Sequence, residues 1–130
     1  MTDPANLSLP EAAAMLRSRT LTSRALTQAV LDRIAALNPR LHAFTHIATD
    51  ALDQADRADR MLAGGEDPGT LCGLPVAVKD LIDVANQPAT SGSRVLQGRI
   101  AATDAQTIAR IRAQGAVLIG KLATYEFAMV

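Results

Sequence analysis

The sequence predicts an α/β fold in which helices come first and a small mixed sheet follows. Three observations carry this. Apolar residues recur at helical spacing over residues 22–37 and again over 49–63. Two short apolar runs, Val76-Ala77-Val78 and Ala116-Val117-Leu118-Ile119, have the length and composition of buried strands. The second run follows a helical pattern that ends at Gly115, and helix, glycine, strand is half of a crossover unit.

The chain as a whole fits this. Its 130 residues suffice for one domain with a real core. At 48% hydrophobic and 20% charged residues it is globular rather than disordered. Lys plus Arg equals Asp plus Glu at 13 each, so nothing in the charge points to nucleic acid, an anionic membrane or a polyanionic substrate. The three aromatic residues, Phe44, Tyr125 and Phe127, are too few for a base-stacking surface. The apolar runs are far too short to span a membrane, and Met1 to Asn6 has neither the basic start nor the apolar stretch of a leader. A single cysteine, Cys72, rules out an internal disulfide, and the expected compartment is the cytoplasm.

Taken in order, Ser8-Leu9-Pro10-Glu11 is a capping box that opens a short helix to about Arg17. Thr22 caps a longer one, with Leu26, Val30, Ile34 and Leu37 on its apolar side, expected to stop at Asn38-Pro39. Leu41 to Ile47 reads as a short strand or extended segment with Phe44 inward. A third helix covers Thr49 to Ala63 and is closed by Gly64-Gly65. Its Asp53–Arg57 and Asp56–Arg60 spacings are expected to form a solvated charged face. Glu66 to Thr70 is a polar loop. Pro75 begins the strand of Val76 to Val78, where its missing donor does least harm. Thr90-Ser91-Gly92-Ser93 is a small-residue, hydroxyl-rich loop of the kind that lets backbone or ligand approach closely. Thr103 to Gln106 reads as a second capping box, opening the helix of Ile108 and Ile111. The domain reading is a helical layer over residues 1–63 followed by a mixed α/β part over 64–130.

Several residues invite chemistry. Gly115 to Lys121 imitates a phosphate-binding loop, but its middle residues are the strand itself and Leu122 stands where the magnesium-binding hydroxyl belongs. Cys72 has no local base and reads as packing. Ser91 and Ser93 lack the nucleophile elbow. His42 and His46 have no third metal ligand in local reach and read as surface or packing residues. Lys79 is the most suggestive. It ends an apolar strand, where a charge costs several kcal/mol unless paired or neutralised. Either it serves as a base toward a serine hydroxyl, or it reaches solvent or pairs with Asp80 or Asp83.

The blocks Gly73-Leu-Pro-Val-Ala-Val-Lys79-Asp80, Thr90-Ser91-Gly92-Ser93-Arg94, Asp104-Ala105, Gly115 to Lys121 and Glu126-Phe127-Ala128 resemble the start of amidase signature enzymes. Leu21-Thr22-Ser23 and Leu37 to Leu41 look like that family's N-terminal layer, so the resemblance spans essentially the whole chain. It implies the N-terminal part of a large α/β/α fold: a helical layer, then the first strands of a mixed sheet. It further implies hydrolysis of a carboxamide C–N bond by a Ser–cis-Ser–Lys triad, with Lys79 as the base and neither metal nor organic cofactor. Asn86 replaces a frequent glycine and is expected to tolerate left-handed geometry, and Cys72 replaces a frequent histidine. Both triad serines are expected downstream of Val130, so the 130-residue segment alone is expected to be inactive and to leave a sheet edge open for the missing C-terminal part or a second copy. The expected partner of the full-length enzyme is a small-molecule amide, not nucleic acid or membrane. Two alternatives stand beside this: the A subunit of an aminoacyl-tRNA amidotransferase, and a non-catalytic short partner-binding protein.

Overall fold

The computed structural model describes residues 3–66 and 68–129. Met1, Thr2, Asp67 and Val130, which fall in the first residues, the polar loop and the closing apolar run, lie outside the described residues. After a 3-10 turn at Pro4–Asn6, helix α1 spans Leu9–Arg17 and opens on the expected capping box. The Glu11 carboxylate accepts from the Ser8 amide at 2.8 Å, and the Ser8 hydroxyl from the Glu11 amide.

Helix α2, Ser23–Leu41, starts at Thr22 as expected but does not stop at Asn38-Pro39. It runs through Pro39 and ends at His42, whose backbone is left-handed (φ 50°). A proline so near the end removes one bond from a helix already closing, and the His42 amide still reaches the Asn38 carbonyl at 2.8 Å. The Asn38 side chain then holds both the amide and the carbonyl of Phe44, which fixes the reversal into the sheet.

Helix α3 spans Ala51–Ala63. Its acidic face is not merely solvated. Asp59 accepts from the Ser23 and Arg24 amides at 2.6 and 3.0 Å, capping α2, and Asp56 takes the Arg24 guanidinium at 2.6 Å. The expected pairs within the helix give way to these and to an Asp50–Arg57 approach of 4.0 Å. The start of α2 presents unsatisfied amides and partial positive charge, a better partner than a solvated side chain.

Strands β1 (Phe44–Ile47), β2 (Pro75–Lys79) and β3 (Val117–Leu122) form one sheet in the order β1-β3-β2. β1 runs antiparallel and β2 parallel to β3, and helix α4 (Gln106–Ala113) lies in the crossover between β2 and β3. The residues read as a phosphate-binding imitation are therefore strand, as expected. The second capping box is not formed. α4 begins at Gln106, so Ala105 rather than Thr103 stands at the cap position and supplies no side-chain cap, while Asp104 binds Arg112 (2.8 and 3.1 Å) and the Ala85 amide (2.8 Å).

Successive residues of β3 point to opposite faces. Val117 and Ile119 pack with Ala48, Ala51 and Ala55, so α3 covers one face. Leu118 packs with Val78, Val84 and Ile108, so α4 covers the other. Leu16, Leu26 and Leu74 join α1 and α2 to the start of β2.

The β2–β3 register contains one irregularity. Val76 stands opposite Leu118, but Ala77 stands opposite Gly120, so Ile119 is an extra residue on β3. The next pairs are Val78 with Lys121 and Lys79 with Leu122. Gly120, beside this bulge, passes the neighbouring strand so closely that a Cβ would lie 2.2 Å from the His46 carbonyl oxygen.

Candidate active site

Lys79 is the last residue of β2 and is exposed, at the edge of an open hollow of about 440 Å³ lined also by Ala123, Thr124 and Tyr125. Among the described residues its ammonium has no hydrogen-bond or ion-pair partner. Its charge is not confined: the strand opens before Lys79, and of the alternatives left open to it the side chain reaches solvent. Neither carboxylate offered as its partner is available. Asp80 is bound to Lys121, and Asp83 makes a double hydrogen bond with Arg99 at 2.8 Å each. The Arg99 guanidinium holds the Asp83 carboxyl below its ordinary range.

The confined charge is Lys121. It is fully buried, 3.3 Å from Asp80 Oδ1 and 2.8 Å from the Pro88 carbonyl oxygen. Asp80, also buried, further accepts from the Thr90 amide at 3.2 Å and the Thr90 hydroxyl at 2.5 Å. Its own carbonyl accepts from the Ser91 amide at 2.7 Å, and its amide donates to the Leu122 carbonyl at 2.8 Å. With the Ile82 amide donating to the Lys79 carbonyl at 3.0 Å, the Lys79–Asp80 peptide is held on both sides. Sequence reasoning placed Lys121 only within the phosphate-loop imitation. The signal that finds it is the one that drew attention to Lys79, a lysine closing an apolar run.

The loop 90–93 packs against the segment after β3. The Gly92 backbone approaches so closely that a Cβ would meet the Thr124 carbonyl at 2.7 Å, as the small-residue reading anticipated. The Phe127 amide donates to the Ser91 carbonyl at 2.8 Å, and the Ser93 hydroxyl to Glu126 at 2.6 Å. Ser91, Phe127 and Ala128 all hold left-handed backbone (φ 51°, 49° and 57°), three side-chain-bearing residues in a sparsely populated region of backbone geometry. Ser93 is buried and committed to Glu126, so it offers no free nucleophile. Asn86 adopts the left-handed geometry expected of it (φ 65°).

His42 and His46 are not brought to Lys79. His42 closes α2, while His46 faces a separate polar cavity with Asp50, Gln54, Asp104 and Arg112. Partial burial, and then the nearby Lys121 charge, push the His46 imidazole below its ordinary value, with Asp80 opposing. Among the described residues no group of three or more His, Cys, Asp and Glu is placed to hold a metal, and no helix is long and apolar enough to cross a membrane. Cys72 is buried in packing, as expected.

A family model described as Amidase matches residues 25–130. The chain belongs to the amidase family. This amidase-family chain is 42% identical over 131 residues to the A subunit of glutamyl-tRNA(Gln) amidotransferase from Rhodococcus erythropolis, covering 99% of the chain and 27% of that relative. It is 44% identical over 130 residues to the same amidotransferase component of Salinispora arenicola, covering 99% of the chain and 26% of the relative. Among solved structures, native peptide amidase from Stenotrophomonas maltophilia superimposes with a TM-score of 0.89 at 38% identity, over 95% of this chain and 26% of that one. The fold is therefore the N-terminal portion of the amidase signature fold, spanning about a quarter of the length of these relatives.

Proposed function

We propose that the whole protein hydrolyses a carboxamide C–N bond, with Lys79 as the general base of a Ser–cis-Ser–Lys triad. One observation carries this reading. In a chain of the amidase family, the lysine of the Gly73 to Asp80 block stands unpartnered among the described residues at an open hollow, on a peptide held from both sides. A free amine on a rigid strand end meets the first requirement of a base, which is reach. In the proposed reaction Lys79 takes a proton, relayed by a bridging serine, from a nucleophilic serine. That serine attacks the amide carbonyl, the amine leaves with the relayed proton, and water hydrolyses the acyl-enzyme. Both serines are assigned to residues beyond the 130 of this sequence.

The test is Lys79→Ala in the full-length protein, assayed by ammonia release from carboxamides. Turnover is expected to fall to background in a folded enzyme; near-normal release removes Lys79 from the reaction. A second reading is favoured by the relatives named as the A component of glutamyl-tRNA(Gln) amidotransferase: this chain belongs to such a component. The purified protein discriminates. Amide hydrolysis without partners supports the free-standing amidase, whereas activity that needs partner proteins and aminoacyl-tRNA supports the amidotransferase.

A further inference from the structure

We propose that Lys121 is a positioning residue for the Lys79 base, acting through Asp80 and Thr90; this rests on the reading of Lys79 given above. The bulge at Ile119 sets the geometry. Paired residues of neighbouring strands point to the same face. Without the extra residue, Lys121 would stand opposite Lys79 and share its open face. With it, Lys121 stands opposite Val78, and its side chain goes to the buried face that Asp80 also occupies. One inserted residue thus separates two lysines that the sequence would otherwise set side by side.

The buried pair then does something an apolar pair does not. Replacing a buried ion pair with well-packed apolar residues is often neutral or stabilising, so stability alone gives weak reason for this one. An ionised carboxylate, however, accepts several bonds at once. Here it takes Lys121 and the amide and hydroxyl of Thr90, while Lys121 also ties the Pro88 carbonyl. These bonds draw the 88–91 segment onto the end of β2, where the Ser91 amide closes on the Asp80 carbonyl and the Ile82 amide on the Lys79 carbonyl. The Lys79 backbone is fixed by its neighbours, and Lys121 is the cation that balances Asp80 and aims it among them. A displacement of about 1 Å at a catalytic group costs on the order of 10²-fold in rate.

The test uses the full-length protein and three variants. Asp80→Asn with Lys121→Met neutralises the pair without stranding a buried charge. It is expected to keep a native circular dichroism spectrum, to lose about 10²-fold in kcat with KM within about threefold, and to exchange the Thr90 and Ser91 amides faster. A merely structural role would lower the melting temperature and leave kcat of the folded fraction alone. Should the double variant not fold, Thr90→Val severs the same chain of bonds at a half-buried residue. It is expected to lose about tenfold in kcat at unchanged KM. Wild-type kcat in whichever of these folds overturns the proposal. Lys79→Ala is the control: if it alone retains turnover, the assignment of the base fails first. If it is inactive while the double variant matches wild type, only the role of Lys121 falls.

Discussion

Two lysines close neighbouring strands of one sheet and meet opposite fates. Lys79 ends β2 exposed and, among the described residues, unpartnered at a hollow, while Lys121, next to the end of β3, is buried and bonded to Asp80 and Pro88. Nothing in the local sequence separates them, since each follows an apolar run. The difference comes from a register shift of one residue, which sends the two side chains to opposite faces, Lys79 to an exposed strand end and Lys121 into the interior. A buried cation demands partners and so organises backbone around itself; an exposed amine demands none.

The strongest way to break this contrast is to remove each lysine in turn. Lys79→Ala is expected to cost about 10²- to 10⁴-fold in turnover, the usual worth of a positioned base, while moving stability by no more than about 0.5 kcal/mol. Lys121→Met alone is expected to do the reverse in kind. It strands the Asp80 carboxylate, and about 3–5 kcal/mol of stability should be lost in urea unfolding of the full-length protein. Equal stability losses for the two variants would erase the distinction. The bulge that separates the lysines is tested by Gly120→Ala. A Cβ 2.2 Å from the His46 carbonyl oxygen forces β1 and β3 apart, at an expected cost of about 3 kcal/mol by the same measurement. A value under about 1 kcal/mol means that the strands do not cross so closely.

What the sequence disclosed and what it hid divide along a physical line. Features fixed by near neighbours were legible: the Ser8–Glu11 box, Thr22 as a cap, Pro75 opening β2, Asn86 in left-handed geometry. Features decided by competition across the fold were not. Thr103 has the spacing of a cap, but α4 begins two residues later, after Ala105, and Pro39 has the look of a stop although it sits where a helix has few bonds left to lose. The acids of α3 paired locally by spacing but were taken by the start of α2. At the site, the apolar run before Lys79 suggests a confined charge at the end of β2, yet the lysine that is buried is Lys121. Alternation along β2 and β3 cannot show a bulge, which exists only in their pairing.

A smaller contrast lies in the helices. Asp59 caps α2 from α3, whereas Thr22 caps it from within. Asp59→Ala strands two amides and is expected to cost about 1–2 kcal/mol, toward the upper end of a lost cap; Thr22→Ala strands one, for about 1 kcal/mol. Urea midpoints of the two variants rank the caps, and an inverted order would mean that the inter-helix bond adds nothing.

The smallest expected effect follows from the reach of the Lys121 charge to His46. Burial and that charge hold the folded imidazole below its ordinary value of 6.5. Above that value both states are neutral and His46 contributes no pH dependence. As pH falls through it, the unfolded chain binds a proton that the folded one resists, so stability declines on acidification. Asp104, held below its ordinary 3.8 by its hydrogen bonds to Arg112 with the Ala85 amide assisting, also loses stabilisation on acidification, but only in the lower carboxylate range. The interval between about pH 7.5 and 5.5 therefore isolates the histidine. His46→Gln is expected to flatten the urea midpoint across this interval relative to wild type. The Asp80→Asn, Lys121→Met protein removes the cation together with the opposing Asp80 charge and leaves the burial, so its slope should stay close to that of wild type. An unchanged slope in His46→Gln would place the pH dependence elsewhere and detach His46 from the buried pair.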